Sequence, residues 1–341
     1  MVPLPSRVAI VVRTKDRPLL LRRALADVAA QEFGDWRLVI VNDGGDPAGV
    51  EELLADLDAE LRERIAVLHH AEPLGMEAAS NAGLAATSGE YVCIHDDDDT
   101  WEPTFLATTV AHLDAHPEDA AVVTRTEIVY EEIHGSHVVE TGRGPFWNEL
   151  PAISLSDLLR TNRFVPIQLL YRRSVHDELG PYRADLPVVG DWEFNLRLAR
   201  AHTIGLIDEV LAYWHQRPQA RGSMRNSVAA DQAQAAADLR IRDQLLKEHV
   251  AAHGMGDLLY LTRYLQGEFD HLHRRLTELD ARLGELEGRL DDTAGSDALT
   301  GRLDLLGDQL LDVEHAVGES GVIGFARRKY HALRSRMRRR R

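Results

Sequence analysis

The sequence predicts an α/β protein: a mostly parallel sheet flanked by helices, followed by a helical, coiled-coil C-terminal region. Three observations predict it. Short apolar runs rich in β-branched residues alternate with amphipathic stretches as far as Ile94. Past Ala115 this regularity loosens into mixed patterns. Beyond Ser227, leucines recur at coiled-coil spacing in two series, Leu272, Leu276, Leu279, Leu283, Leu286, Leu290 and then Leu299, Leu303, Leu306, Leu310, Val313, Val317.

Arg7 to Val12 is a short apolar run suited to a buried parallel strand. Pro18 opens a helix with apolar positions at Leu21, Leu25, Val28 and Ala29, since proline at the first helical position forfeits no hydrogen bond. Trp36 to Val41 reads as a second strand and Val50 to Leu61 as a second helix. Ile65 to Leu68 with Met76 to Ala86 makes a third pair, and Tyr91 to Ile94 a fourth strand. Such alternation implies right-handed parallel crossovers. Farther on, Ala120 to Tyr130 and His137 to Thr141 read as strands around a His134-Gly135 turn. Val188 to Ala201 reads as a helix and Ile204 to Trp214 as short strands.

The net charge of −16 argues against a nucleic-acid surface over most of the chain. No acidic residue follows Glu319 while nine Lys or Arg do; setting those nine aside leaves the remainder near −25. Phe325, Tyr330, Leu333 and Met337 among these arginines suit an interfacial helix on an anionic membrane. Cys93 is the single cysteine, so an internal disulfide and a cysteine-ligated zinc site are excluded. Within Tyr91-Val92-Cys93-Ile94 it reads as a buried, inert thiol. The N-terminus lacks the apolar segment of a signal peptide, and no run of about 18 apolar residues occurs. The expected location is cytoplasmic, with peripheral contact to the inner membrane face through the basic tail.

The strongest chemical feature is His95-Asp96-Asp97-Asp98-Asp99 at the end of the fourth strand. Ligands of open α/β sheets bind beyond the carboxyl ends of strands. Four adjacent carboxylates there repel one another unless a cation neutralises them, and oxygen ligands suit Mg²⁺ or Mn²⁺. Asn42-Asp43-Gly44-Gly45-Asp46 ends the second strand, where glycines permit close backbone approach to a ligand. No G-x-G-x-x-G follows the first strand and no Walker A sequence occurs, which counts against a dinucleotide oxidoreductase and a P-loop enzyme.

Val11-Val12-Arg13-Thr14-Lys15-Asp16-Arg17-Pro18, Asn42-Asp43-Gly44, Ser80-Asn81-Ala82-Gly83 and Asp96-x-Asp98-Asp99-x-Trp101 stand in the order and spacing of family 2 glycosyltransferases. The chain resembles that family from about residue 6 to 216. The resemblance implies a GT-A-type, Rossmann-like fold and inverting transfer from a nucleotide sugar to an acceptor hydroxyl, on a saccharide or a lipid-linked molecule. It places Thr14, Asp43, Asp96 and Asp97 at the nucleotide, Asp96 by the ribose, and Asp98 on the metal, with Asp99 in support. It places an acidic catalytic residue before a later helix, where Gly190-Asp191-Trp192-Glu193 fits. Asp191 is then the base that takes the acceptor proton, held ionised by the helix N-terminus, with Glu193 in reserve. His215 follows a strand where the family often carries His or Arg near the diphosphate, as metal ligand or phosphate contact, with Arg217 and Arg221 adding charge.

Three positions depart from the family pattern. Gly190-Asp191 stands where Glu-Asp is common, Ser80 where an Arg often precedes Asn81, and Arg13 where Pro is commoner. Two other readings fit parts of the sequence. Asp96-x-Asp98-x-Thr100 matches a haloacid-dehalogenase-like phosphoryl transferase, and a degenerate transferase domain on a coiled coil would make a scaffold. The expected organisation is a GT-A domain over 1–226, a helical linker over 227–267, a coiled coil that pairs two chains or a helical hairpin folded back within one over 268–320, and a basic amphipathic tail over 321–341.

Overall fold

The computed structural model of the protein describes residues 6–226 and 231–292. It divides into two units, Met1–Leu245 and Leu246–Arg341. In chain order the first unit runs β1 (Val8–Thr14), α1 (Pro18–Ala29), β2 (Trp36–Asp43), α2 (Pro47–Ala55), α3 (Ala59–Glu63), β3 (Ile65–His70), α4 (Met76–Ala85) and β4 (Tyr91–Asp96). It continues through β5 (Thr100–Trp101), α5 (Phe105–Ala115), β6 (Asp119–His134), β7 (His137–Phe146), α6 (Leu155–Arg160), β8 (Leu169–Arg172), α7 (Ser174–Leu179), α8 (Gly190–Ala201) and β9 (Thr203–Gln216). Helix α9 (Asp231–His253) follows, and α10 (Gly256–Asp292) lies in the second unit.

The described strands make one nine-stranded sheet in the order β3-β2-β1-β4-β8-β6-β9-β5, with β7 paired to β6. The β3-β2-β1-β4 half is parallel, as the alternating sequence predicts. β8 then enters antiparallel between β4 and β6, so the second half is mixed. Parallel pairing sets Val12 beside His95 and Arg13 beside Asp96, which brings the ends of β1 and β4 level.

Both faces of the parallel half are covered, and its side chains sort by the two-residue strand period. Val8, Ile10, Val12, Tyr91 and Cys93 join the core that α1, α2 and α5 complete. Ala9, Val11, Val92 and Ile94 join a second core with α4 and α8. Each large apolar side chain so buried contributes roughly 1.5–3 kcal/mol. Cys93 is fully buried and burial raises its thiol, in line with an inert residue.

Two elements differ from the sequence reading. The helix expected over Val50 to Leu61 is two, because Asp58 accepts the backbone N–H of Leu61 at 2.8 Å and starts α3 afresh. The short strands expected over Ile204 to Trp214 are one long strand, β9, whose register against β6 shifts around Arg125. The first unit also runs past residue 226 to Leu245, since Ala237 and Ile241 of α9 are buried and Arg242 donates to the carbonyls of Leu159 and Arg160.

In the second unit α10 is continuous through the first leucine series. Leu279 and Leu283 are buried and Leu272 and Leu276 half-buried, while Arg275, Glu278 and Arg282 are exposed, the pattern of a heptad seam. The second leucine series and the basic tail lie outside the described residues.

Gly83 sets the approach of α4 to the sheet. A Cβ there would lie 2.3 Å from Cγ1 of Val11 and 3.2 Å from Cγ2 of Val41. Gly83→Ala should therefore destabilise the protein by about 1–3 kcal/mol through overpacking, seen as a lower urea midpoint; an unchanged or higher midpoint would show that α4 moves freely.

Candidate active site

The carboxyl ends of β1, β2 and β4 converge with the N-termini of α4 and α8 around two clefts. The larger, about 720 Å³, is lined by Arg13, Thr14, Asp43, Gly75, Asp96 and Pro187 among others. The smaller, about 270 Å³, includes Asp96, Asp99, Asn162, Asp191, Trp147 and Trp214 in its wall. Arg13, Met76, Glu77 and Asp96 line both.

The four aspartates have four different surroundings. Asp96 faces both clefts, its Oδ1 bound by Arg13 through Nε at 2.8 Å and Nη2 at 2.5 Å. Asp97 is fully buried; it accepts the Thr14 hydroxyl at 2.6 Å, and Arg17 reaches it with a hydrogen bond at 3.0 Å and an ion-pair contact at 2.5 Å. Burial nevertheless pushes Asp97 up to about 7. Asp98 is enclosed by Arg217, by Arg17 at 3.3 Å and by Asn226 at 3.2 Å. Burial works against its ionised form, yet the two guanidinium groups hold it below the usual carboxylate range. Asp99 accepts the backbone N–H of His215 at 2.9 Å, and burial next to the charges of Asp98 and Asp96 raises it well above that range.

A second layer of charge supports this one. Glu131 on β6 is buried and binds Arg217 at 2.6 Å, Arg23 at 2.7 Å and Nδ1 of His215 at 2.8 Å. Nε2 of His215 lies 2.8 Å from the Thr100 hydroxyl, so both ring nitrogens have protein partners. Burial lowers His215 below its ordinary value despite Glu131, which favours the neutral ring.

These partners decide how the sequence-derived metal ligands stand. Asp96 is the acid best placed for a divalent cation: Arg13 holds its Oδ1, but its side chain is 24% exposed and lines both clefts. Asp98 and His215 are engaged by protein groups in this conformation. Among the described residues no three or more His, Cys, Asp or Glu are gathered as a metal centre. The repulsion that called for a cation in the sequence is met partly by Arg13, Arg17 and Arg217 and partly by burial, which favours the protonated forms of Asp97 and Asp99.

Asp43 accepts the backbone N–H groups of Leu74 and Gly75, each at 2.8 Å, and lies 2.7 Å from Nδ1 of His70. Burial opposes its charge, but these donors hold it below its ordinary value, so it shapes the larger cleft as an anion. Asn81 of the Ser80-Asn81-Ala82-Gly83 motif exchanges two hydrogen bonds with the backbone of Tyr182, at 2.8 and 3.0 Å. That ties α4 to the loop leading into α8.

Asp191 stands in the first turn of α8 and accepts Nδ2 of Asn162 at 2.8 Å. Burial raises it above the ordinary carboxylate range, although the N–H of Trp192 and Arg13 favour its charge. Val189, the residue before α8, has φ +59°, costly for a β-branched side chain and typical of backbone held by its surroundings. Trp147 in the same cleft has φ +52°. Glu193 pairs with Arg197 at 2.8 Å, which in turn binds the carbonyls of Leu179 and Pro181, so it is a structural residue here. Arg221 is exposed and lies beside Glu131 and Glu132, away from Asp191.

Sequence reasoning missed Glu77, Asn162 and Glu131. Glu77 carried one signal: with Ser80 and Leu84 it lies on the buried face of α4 at helical spacing, where an acid needs a partner. Asn162 and Glu131 act only through folding, and no local pattern marks them.

A sheet whose carboxylate-bearing strand end opens onto two clefts is an α/β architecture built to bind a substrate beyond the strands. The family model of glycosyl transferase family 2 matches residues 9–180, and the chain belongs to that family. It is a glycosyltransferase, and the haloacid-dehalogenase-like reading falls with that match. It is 30% identical over 204 residues to the uncharacterized glycosyltransferase YwdF of Bacillus subtilis, covering 58% of this chain and 70% of that protein. It is 26% identical over 190 residues to a PGL/p-HBAD biosynthesis glycosyltransferase of Mycobacterium bovis, covering 55% and 68%. It is 29% identical over 268 residues to the O-antigen biosynthesis protein RfbC of Myxococcus xanthus, covering 73% of this chain but 20% of that protein. Among solved structures, S. aureus TarS 1–349 in complex with UDP-GlcNAc superposes with a TM-score of 0.53 at 15% identity, covering 73% and 75%. The mannosyltransferase PcManGT of Pyrobaculum calidifontis in complex with GDP-Man and Mn²⁺ gives 0.52 at 17%, covering 96% and 87%. These likenesses show the GT-A fold.

Because Asp98 closes a buried charge network, Asp98→Asn should destabilise the fold by about 3–5 kcal/mol, the usual cost of removing one partner of a buried ion pair. Urea denaturation measures this; a loss below about 1 kcal/mol, the range of surface pairs, would mean the arginines do not depend on it.

Proposed function

We propose that this chain transfers a sugar from a nucleotide diphosphate donor to an acceptor hydroxyl with inversion at the anomeric carbon, Asp191 serving as general base. One observation carries the reading: Asp96, at the strand end expected to face the donor, and Asp191, on a separate helix, line the same small cleft. The acceptor hydroxyl would lie against Asp191 and give its proton to that carboxylate as its oxygen bonds to C1. The bond from C1 to the diphosphate breaks on the opposite face, and the nucleoside diphosphate leaves with the electron pair. A single displacement of this kind inverts the centre.

The larger cleft suits the nucleotide. Thr14, Asp43, Asp96 and Asp97 are the residues assigned to it, although Asp97 acts through the Thr14 hydroxyl and Arg17 rather than by direct contact. Arg13, Lys15 and Arg17 set cationic groups around the place for the diphosphate. UDP-GlcNAc in TarS and GDP-Man with Mn²⁺ in PcManGT support a nucleotide sugar as donor. A bound Mg²⁺ or Mn²⁺ would neutralise charge on the leaving diphosphate. Asp96 would hold it directly; Asp98 would join on release from Arg17 and Arg217, and His215 on release from Glu131 and Thr100.

The smaller cleft is walled by Trp147, Trp214 and Phe146, whose faces suit the C–H faces of a sugar. A saccharide or lipid-linked acceptor in surface polysaccharide or glycolipid assembly is supported by the likeness to RfbC, an O-antigen biosynthesis protein, and to the mycobacterial PGL/p-HBAD biosynthesis glycosyltransferase. Among the described residues no helix is long and apolar enough to cross a membrane. The proposed location is cytoplasmic, with the basic tail, which lies outside the described residues, meeting the inner membrane surface. Pairing of two chains through 268–320 is proposed from the heptad spacing of Leu272, Leu276, Leu279 and Leu283.

Asp191→Asn should lower kcat by about 10²–10⁴ with donor binding near normal. Since the base works ionised and burial raises it, activity should fall as pH drops through a value above the ordinary carboxylate figure of about 3.9. A few-fold loss, a product that keeps the donor's configuration, or an acid limb at or below that figure would overturn the assignment.

A further inference from the structure

The three departures from the family pattern meet at one place. Arg13 extends its Nη1 toward the Ser80 hydroxyl at 3.2 Å and Oε2 of Glu77 at 3.4 Å, while its other nitrogens hold Asp96. Position 190 lies against the same glutamate: a Cβ there would fall 2.4 Å from Glu77 Oε1 and 2.5 Å from its Cδ and Cγ. A guanidinium expected from position 80 thus arrives from position 13. A carboxylate expected from position 190 arrives from position 77.

We infer that Glu77 is a positioning residue for Asp191, its carboxylate filling the space of a side chain at 190 and holding the first turn of α8 from the neighbouring helix α4. The inference rests on the reading of Asp191 as base. Glu77 is 4% exposed, so its charge has no water to satisfy it and must be met by the protein. Arg13 on one side and the backbone N–H of Gly190 on the other favour its charge, but burial outweighs them and pushes it up to about 7. Helix α8 has no side-chain cap of its own, because its N-cap position is Val189, held at φ +59°. Glu77 packs its carboxyl group against this uncapped helix start, Oε1 lying 2.4 Å from where a Cβ at Gly190 would be, one residue before Asp191. Arg13 then joins the two clefts mechanically. One guanidinium grips Asp96 at the donor end and Glu77 beneath the base, so the two carboxylates that must act across the anomeric carbon share one support. Glycine at 190 is required by this arrangement, since any side chain there would collide with the glutamate.

The test moves the carboxylate back. Glu77→Ala should lower kcat on the order of 10²-fold, the effect of misplacing a reacting group by about 1 Å, with KM for the donor near wild type. Gly190→Glu alone should be no better, because its side chain collides with Glu77. In Glu77→Ala/Gly190→Glu the carboxylate returns from position 190, and kcat should rise about tenfold above Glu77→Ala, the coupling expected of residues in contact. A residue that only stabilises the fold would lose donor affinity and kcat together and would not be rescued by a second change at 190. Where Glu77→Ala fails to fold, recovery of folded, active protein by the added Gly190→Glu is the expected result. An unchanged kcat in Glu77→Ala, or a double variant no better than the single ones, overturns the inference. Asp191→Asn, assayed beside them, separates the two ideas. If it is inactive while Glu77→Ala is not impaired, the base reading stands and the positioning role falls. If it remains active, the base reading falls and takes the positioning role with it.

Discussion

Four consecutive aspartates at the end of a buried strand cannot all remain ionised without cations beside them. Here Arg13, Arg17 and Arg217 come from the start of the chain and from the end of the sheet to meet them, and Glu131 with Arg23 and His215 braces the far side. Most of the site's geometry follows. Pairing Asp98 with Arg217 brings the segment after β9 back over β4, where Asn226 also reaches Asp98. Burying Asp97 against Thr14 and Arg17 fixes the loop after β1. What remains open to the clefts is Asp96, and Asp99 at the inner wall.

In the proposed reading, the fold turns this charge network into a place for two substrates. The parallel half of the sheet brings β1, β2 and β4 to a common edge, so that Thr14, Asp43 and Asp96 border one cleft. The antiparallel entry of β8 and the return through α8 carry Asp191 to the other side of Asp96. Backbone strain gathers at the same place: of the three non-glycine residues with positive φ among the described residues, Trp147 and Val189 line the smaller cleft, and Asp16 accepts the Asp46 N–H at the turn after β1.

How far this was legible in the sequence depends on the range over which each residue acts. The β-branched runs and Pro18 marked β1, β2, β4 and α1, because burial on both faces leaves a local composition. The long β9 was not legible, since its pairing with β6 is non-local and its composition is mixed. The acidic run stood out, but its compensation did not: Arg217 lies 119 positions from Asp98, and nothing near either residue shows that they meet. The same holds for Asn162, whose bond to Asp191 joins a loop after α6 to α8. Gly190 looked like an isolated departure until the fold set it against Glu77, a residue the sequence reading had passed over.

The account turns on Asp96 and Asp191 facing each other across the anomeric carbon of a donor seated in the larger cleft. Crystals of the protein soaked with a nucleoside diphosphate and Mn²⁺, with the ion located by its anomalous scattering, test this most directly. The account predicts the base and ribose beside Thr14 and Asp43, the diphosphate at Arg13, and the ion on Asp96, with Asp191 left free on the far side. A nucleotide bound elsewhere, or one whose terminal phosphate covers Asp191, would contradict it.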